Sequence, residues 1–545
     1  MKNDFPDYKR GFVYQVYPAS FKDGNGDGIG DLKGIIEELD YIKSLGAGYI
    51  WLNPIYESPM RDMGYDISDY EKVNPRFGTM ADFDELLTEA RKRDIGIIMD
   101  LVINHTSIDH PWFKSAITDP HSPYRDYYIL RKGKDGSYPN NWTQVIGGSA
   151  WGQVPGEDDT YFLHLFSESQ PDLNYRNPAV IKAVEDIMRF WLDKGVAGFR
   201  CDMINVIYKE SFADGDEKGF SGIGAEHYTN VDGVHRLLKR FQDDVISKYN
   251  GFLIGECSGC GISEANDYQK NGELNMLFQF ETVLLDKKVF RIMAKPKDLK
   301  ESIIKWQTGL DWNANYLENH DQLRSIGRFV DHRHKRLGAK MLLGLLLTLR
   351  GTPFIFEGEE LGAEGYAKFK PEESSDIMLK NLMALLKAKK VSRLVRNLIG
   401  KHFNRDDSRI PMAFTPDPST SYGFTRKGIE PWQKPNFGKS EKINVAAESE
   451  DPDSVLAFFR SLSSFREAHP ELSYGSFEAL KTKEEVLAFE RAYGKASLTI
   501  VANLGKHKEK IGKALRRKLG KLQVLFSDAT QSSYTLKPYE FRIYG

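Results

Sequence analysis

Cysteine is scarce, with three in 545 residues. So few cannot build a disulfide framework. The Cys257–Cys260 CxxC has only Cys201 left over, which excludes a four-thiolate zinc site. Long apolar runs are missing too. The most apolar stretch, MLLGLLLTL (341–349), falls far short of the ~20 residues a membrane helix needs. The N-terminal MKNDFPDYKR lacks the apolar core of a signal peptide. There is no excess of charge of either sign: 75 Lys+Arg against 77 Asp+Glu leave a net −2, which removes the global electrostatic case for nucleic acid or an anionic membrane. Internal repeats and low-complexity segments are absent. The expectation is a cytoplasmic enzyme, monomeric or weakly oligomeric, acting on a small molecule. A glycosylation sequon, Asn141-Trp142-Thr143, is the one secretory-looking feature.

What is present is an alternation of apolar strands and amphipathic helices. GFVYQVYP (11–18) reads as a strand. Leu32, Ile35, Ile36, Leu39 and Ile42 then recur at helical spacing, with Gly46 placed to close the helix. Strands follow at 48–54, 96–104, 198–205, 251–257, 274–281, 314–321 and 351–360, making eight in all. Eight strands with intervening helices predict an α/β fold, a closed (β/α)8 TIM barrel. The expected boundaries are a barrel over 1–104 and 178–468 and an inserted lid subdomain over 105–177, after strand 3. A second insertion is expected at about 363–440, with a helical basic segment near 386–396. From 469 to 545 short alternating runs predict a C-terminal antiparallel β-sandwich domain. Its basic stretch KHKEKIGKALRRKLGK (506–521) reads as a solvated hairpin or surface segment, because no aromatics interleave the charges.

In a barrel, polar residues at the C-terminal ends of strands are the catalytic candidates. Those ends carry Asp100 and His105, Arg200 and Asp202, Glu256, and His320 with Asp321. In GFRCDMIN (198–205), period two puts Arg200 and Asp202 on one face and Phe199 and Cys201 on the other. Arg200 should keep Asp202 ionised. Glu256, behind FLI and before Cys257, should hold a proton by desolvation. Two carboxylates so divided suit retaining glycoside hydrolysis.

These stretches resemble the signature regions of the α-amylase superfamily of glycoside hydrolases (family 13), in particular its oligo-1,6-glucosidase and α-glucosidase branch. DLVINHTS (100–107), GFRCD (198–202), GECS (255–258) and NHDQ (319–322) match the principal regions. GYDISDY (64–70), QPDLN (170–174), GTPFIFEGEELG (351–362), RDDSRIPM (405–412) and INVAAE (443–448) match accessory ones. The resemblance implies Asp202 as nucleophile, Glu256 as general acid/base and Asp321 as the third carboxylate. It implies sugar contacts from Asp66, Tyr65, His105, His320 and Arg409. Arg200 would orient Asp202, and Asp100 would organise the site. The substrate implied is a short oligosaccharide cut from its non-reducing end, with no organic cofactor. In this branch Val after the nucleophile goes with α-1,6 bonds, and Ala or Thr with α-1,4. Met203, bulky and apolar, favours α-1,6, with maltose or trehalose 6-phosphate as alternative substrates. The segment LRSIGRFVDHR (323–333) lacks the Arg-rich RLDRD-type loop of the related sucrose isomerases. Catalytically dead transporter heavy chains share the resemblance but need a membrane helix.

One motif stands apart. DGNGDGIGD (23–31) places Asp23, Asn25, Asp27 and Asp31 at alternate positions around a Gly28 turn, as in a Ca²⁺ loop, although Gly34 replaces the final Glu of an EF-hand. The family resemblance implies a structural Ca²⁺ (or Mg²⁺) here, held by these side chains and the Ile29 carbonyl.

Overall fold

The structure is a computed structural model that describes residues 7–145, 147–216, 218–219, 222–290, 293–366, 371–528 and 533–545. Eight strands form one sheet: β1 (Val13–Val16), β2 (Tyr49–Leu52), β3 (Gly96–Leu101), β4 (Gly198–Cys201), β5 (Phe252–Glu256), β6 (Met276–Phe278), β7 (Ala314–Asn315) and β8 (Thr352–Phe356). The order is β6-β5-β4-β3-β2-β1-β8-β7, with every ladder parallel. The barrel is nearly closed. Side chains span the β6–β7 seam: the Tyr316 hydroxyl donates to the Gln279 carbonyl at 2.8 Å, and the Phe278 and Tyr316 rings meet edge-on at 4.9 Å.

Period two decides what faces the barrel's interior. Val13, Tyr49, Trp51, Ile98, Ile254, Met276, Phe278 and Phe354 form one inner cluster. Their strand neighbours Tyr14, Ile50, Ile97, Phe199, Cys201 and Leu253 join the larger core under the helices. The helix expected from the spacing of Leu32 to Ile42 is two pieces, Leu32–Glu37 and Leu39–Leu45, joined at Glu38. Gly46 ends it in the left-handed region at φ 91°, where a residue with a Cβ would be strained.

The insertion after β3 contains a three-stranded antiparallel sheet (Leu130–Lys132, Thr160–Leu163, Trp151–Gln153), and the chain rejoins the barrel through helix Pro178–Lys194. Both amide atoms of Asn141 bond to Gly215, so the sequon's acceptor nitrogen is engaged in the fold. After β8 the segment expected as one basic helix is two, Ile377–Ala388 and Arg393–His402. Lys390 adopts φ 56°, and the Ser392 hydroxyl caps the second helix by accepting from Val395 N.

At the C-terminus a five-stranded antiparallel sheet (Glu478–Ala479, Val486–Tyr493, Ala496–Asn503, Phe541–Tyr544, Val524–Ser527) stands beside a two-stranded one. Leu487, Phe489, Ile500, Phe541 and Ile543 belong to the same core as the barrel helices. The basic run corrects the hairpin expectation: it contains a helix, Lys513–Leu519, whose Leu515 and Leu519 bury at i, i+4 spacing against Val486, Val501 and Tyr544. Among the described residues no helix is long and apolar enough to cross a membrane.

Candidate active site

The strand register assembles the site. Asp100 of β3 pairs directly with Arg200 of β4. Gly255 of β5 pairs with Cys201, so Asp202 and Glu256 leave the ladder side by side. One guanidinium then serves three carboxylates: Arg200 Nη1 lies 2.6 Å from Asp100 and 2.7 Å from Asp202, and Nη2 lies 2.5 Å from Glu256. The Arg200 side chain is 1% exposed and lies over the Trp51 ring at 5.2 Å. A single fork holding both Asp202 and Glu256 keeps the two carboxyl groups close, as retaining chemistry requires.

The electrostatics depart from the sequence-based division of roles. Arg200 does not serve Asp202 alone. Burial, together with Glu256 and Asp100, pushes the Asp202 carboxyl well above its ordinary range despite Arg200. Asp100 is raised as well, by burial against the pull of Arg200. Three carboxylates share one arginine here, so its pull does not offset the burial of Asp100 and Asp202, and both are harder to ionise than in water. Asp321 is the opposite case. Burial would raise it, but His320, Arg405 and Arg409 together hold it well below the carboxylate range. Arg409 Nη2 lies 2.9 Å and Arg405 Nη1 3.2 Å from its Oδ1, and His320 Nε2 lies 3.2 Å from its Oδ2.

A cavity of about 660 Å³ opens above these groups, and Asp202, Met203, Glu256, Asp321, Tyr65 and His105 line it. Met203 holds φ 39°, a left-handed turn that is costly for a non-glycine residue and that aims its N–H at Glu256 Oε2, 3.2 Å away. Tyr65 lies parallel to His320 with ring centroids 5.5 Å apart, and its hydroxyl reaches Asp100 at 3.0 Å and His320 at 2.7 Å. Burial lowers the His105 pKa, so its ring is neutral at physiological pH, with Nε2 near the Tyr65 carbonyl (3.1 Å) and Gln170 (3.0 Å).

Three residues expected at the sugar lie behind this wall. His320 is fully buried beneath Tyr65, with Nδ1 against Gln15 Nε2 at 2.9 Å. Arg409 is buried against the His320 carbonyl and Asp321. Asp66 is fully buried, and its oxygens accept from Ser58 Oγ and from the Arg61 and Asp62 amides at 3.0–3.1 Å. Asp66 therefore shapes a loop, and Asp62 at the end of that loop faces the cavity.

Sequence reasoning missed Asp62, Arg405, Asp376 and Gln170, all of which line the cavity. Arg405 links Asp62 (3.3 Å), Asp321 (3.2 Å) and Asp376 (2.5 Å). The signal was available for Arg405 and Gln170, which lie inside quoted motifs. It was absent for Asp376, which lies in no motif.

The 23–31 loop is remote in role. Asp23 accepts from the Gly26 and Gly28 amides (2.6 and 2.8 Å) and from Thr425; Asn25 accepts from Asp27 N; Asp27 accepts from Ile29 N; and Asp31 caps helix Leu32–Glu37 through Gly34 N at 2.7 Å. Its donors are all oxygens, the chemistry a hard cation prefers. Among the described residues no three His, Cys, Asp or Glu side chains gather as a metal site.

The decisive comparison is with family models. Residues 15–475 match the α-amylase catalytic domain. The chain belongs to the α-amylase family. An oligo-1,6-glucosidase of Parageobacillus thermoglucosidasius is 42% identical over 517 residues, 91% of this chain and 90% of that one. The trehalose-6-phosphate hydrolase of Bacillus subtilis is 39% identical over 91% of this chain and 90% of its own. Among solved structures, trehalulose synthase from Pseudomonas mesoacidophila MX-45 superposes with a TM-score of 0.90 at 36% identity, covering 99% of each chain. For the family's catalytic barrel, the strand-end carboxylates sit where its fold concentrates chemistry.

Proposed function

We propose that the protein is a retaining exo-α-glucosidase that hydrolyses terminal α-1,6 bonds of short oligosaccharides such as isomaltose. The observation that carries this is the single Arg200 fork shared by Asp202 and Glu256 at the cavity floor. Asp202 attacks the anomeric carbon from the β face and forms a glucosyl ester. Glu256 gives a proton to the departing oxygen, then takes one from water, which opens the ester and frees glucose with its α configuration. Asp321, fixed as an anion by two arginines, binds sugar hydroxyls together with Asp62, Arg405 and neutral His105. Tyr65 forms the floor under the ring. His320 and Arg409 act through Asp321 and Tyr65 rather than on the sugar. Arg200 and Asp100 position the pair.

For the linkage, support comes from Met203 at the cavity wall and from the names of the similar oligo-1,6-glucosidases. A phosphate-reading pocket finds less support. Among the described lining residues Arg405 is the one cation, and three carboxylates claim it. Sucrose isomerisation also finds less, because Arg324 and Arg328 of the 323–333 segment are buried against Glu318 and Asp286. For the 23–31 loop we propose a structural Ca²⁺ or Mg²⁺ with Asp23, Asn25, Asp27, Asp31 and the Ile29 carbonyl as ligands; its all-oxygen donor set supports this, and it takes no part in the chemistry. Rates on isomaltose, maltose, sucrose, trehalose and trehalose 6-phosphate measured side by side test the reading, with isomaltose fastest. Turnover of trehalose 6-phosphate alone would overturn it.

A further inference from the structure

A net charge near zero hides a one-sided distribution. Residues 377–404 carry seven Lys or Arg and no Asp or Glu. Four of the seven, Lys387, Lys389, Lys390 and Arg393, cluster where helix Ile377–Ala388 turns into helix Arg393–His402, and all four are exposed. Among the described residues the one ion pair these four make is Arg393 with Glu372, at 3.9 Å. The same stretch exposes large apolar side chains: Leu394 is 82% exposed, Leu398 50% and Val395 43%. Leu394, Leu398 and Lys401 stand at i, i+4 and i+7, on one face of the second helix. Ile399 turns the other way and lines the active-site cavity, as do Leu382 and Leu386 of the first helix. The helical pair therefore has two apolar faces. The inner one closes on the cavity, and the outer one, with cations beside it, meets water.

Leucine left in water is uncovered apolar area, and a run of cations without acids attracts a surface of the opposite sign. A nucleic acid or another soluble polyanion would engage the cations and leave the leucines wet. A bilayer with anionic headgroups satisfies both. Leucines enter the boundary between headgroups and acyl chains, while lysine stems lie along it and keep their ammonium groups at the phosphates. The outside of a helix is convex, and a fluid bilayer adapts to it without a matching groove. We propose that the 377–402 helical pair docks the protein peripherally on an anionic lipid bilayer through Leu394, Val395 and Leu398, with Lys387, Lys389, Lys390, Arg393 and Lys401 at the headgroups. The inner face of the same pair lines the cavity, so the docked pair lies between bilayer and active site. Docking does not depend on which glycoside the site cleaves.

The test is flotation of the full-length protein with phosphatidylcholine vesicles, either pure or with about 30 mol% phosphatidylglycerol. The protein should float with the anionic vesicles, bind the neutral ones at least about tenfold more weakly, and be released from the anionic ones by about 0.5 M salt. The triple variant Lys387→Gln, Lys389→Gln, Lys390→Gln should bind anionic vesicles about 100-fold more weakly, at about fivefold per charge. The double variant Leu394→Ser, Leu398→Ser keeps every charge and should still bind about tenfold more weakly. Wild-type melting temperatures show that both variants fold. Absence of binding to anionic vesicles overturns the proposal, and so does equal binding to neutral ones. Full binding by the folded leucine variant would mean adsorption to any polyanion and would overturn the bilayer as the partner. If a variant does not fold, the wild-type comparison of the two lipid compositions still decides.

Discussion

Replacing Arg200 with leucine tests how the catalytic cluster is held. The arginine makes ion pairs at 2.6, 2.7 and 2.5 Å with carboxylates whose side chains are 0, 11 and 8% exposed. Without it, Asp100, Asp202 and Glu256 would face one another with no cation among them. At ~5 Å and an effective dielectric near 20, each pair of like charges costs about 3 kcal/mol, so the cluster takes up protons instead. Holding one carboxyl protonated at pH 7, about three units above its unfolded value, costs about 4 kcal/mol. That agrees with the ~3–5 kcal/mol expected when one partner of a buried ion pair is removed. The pH dependence gives the sign. Carboxyl groups whose folded pKa is raised are protonated in both states below about pH 4, so the electrostatic deficit vanishes there and opens as pH rises through the raised values. A pH-independent remainder comes from lost packing on Trp51, which lies 5.2 Å from the guanidinium. Urea unfolding of Arg200→Leu and wild type at pH 4 and pH 7.5 makes the measurement. Arg200→Lys, which keeps the charge but cannot bridge three partners, should recover part of the loss. A deficit below ~1 kcal/mol at pH 7.5, or one equal at both pH values, would refute the reasoning.

Three further outcomes are expected. Arg405→Leu removes one of the cations that hold the Asp321 carboxyl low, so that pKa rises and the acid limb of the kcat/KM profile moves to higher pH; an unmoved limb counts against Asp321 acting as an anion. Met203→Ala, which clears bulk from the cavity wall, should raise the maltose-to-isomaltose rate ratio several-fold, and an unchanged ratio would remove Met203 as a linkage determinant. Chelation should lower the thermal midpoint, with Ca²⁺ restoring it and the rate at 25 °C little changed; an unchanged midpoint argues that the loop's amide hydrogen bonds alone hold it.

Strands and their order were legible because barrel strands are apolar runs between amphipathic helices. Strand ends were less legible where the backbone leaves the ladder early: β6 and β7 end at Phe278 and Asn315, short of the expected 281 and 321. Arg200 and Asp202 could be placed on one face of their strand because period two is a local property. Asp62 and Arg405 could not be linked that way: they are 343 residues apart in sequence and meet only in the folded site. Asp66 was the wrong choice for a sugar ligand because type and spacing do not reveal that loop amides already occupy its oxygens. The expectation that Arg200 alone would hold the Asp202 carboxyl low failed for a similar reason. Sequence showed the arginine beside one carboxylate, and only the fold shows it shared among three.

The proposed mechanism turns on Asp202, just beyond β4, acting as the nucleophile. The most direct measurement is turnover of an activated α-glucoside by Asp202→Ala, with and without azide. With Asp202 as nucleophile, the variant alone shows no detectable turnover and azide rescues it with β-glucosyl azide as product, because the small anion occupies the space the carboxylate left. Wild-type-like hydrolysis without azide, or an α-glucosyl azide product, would contradict it.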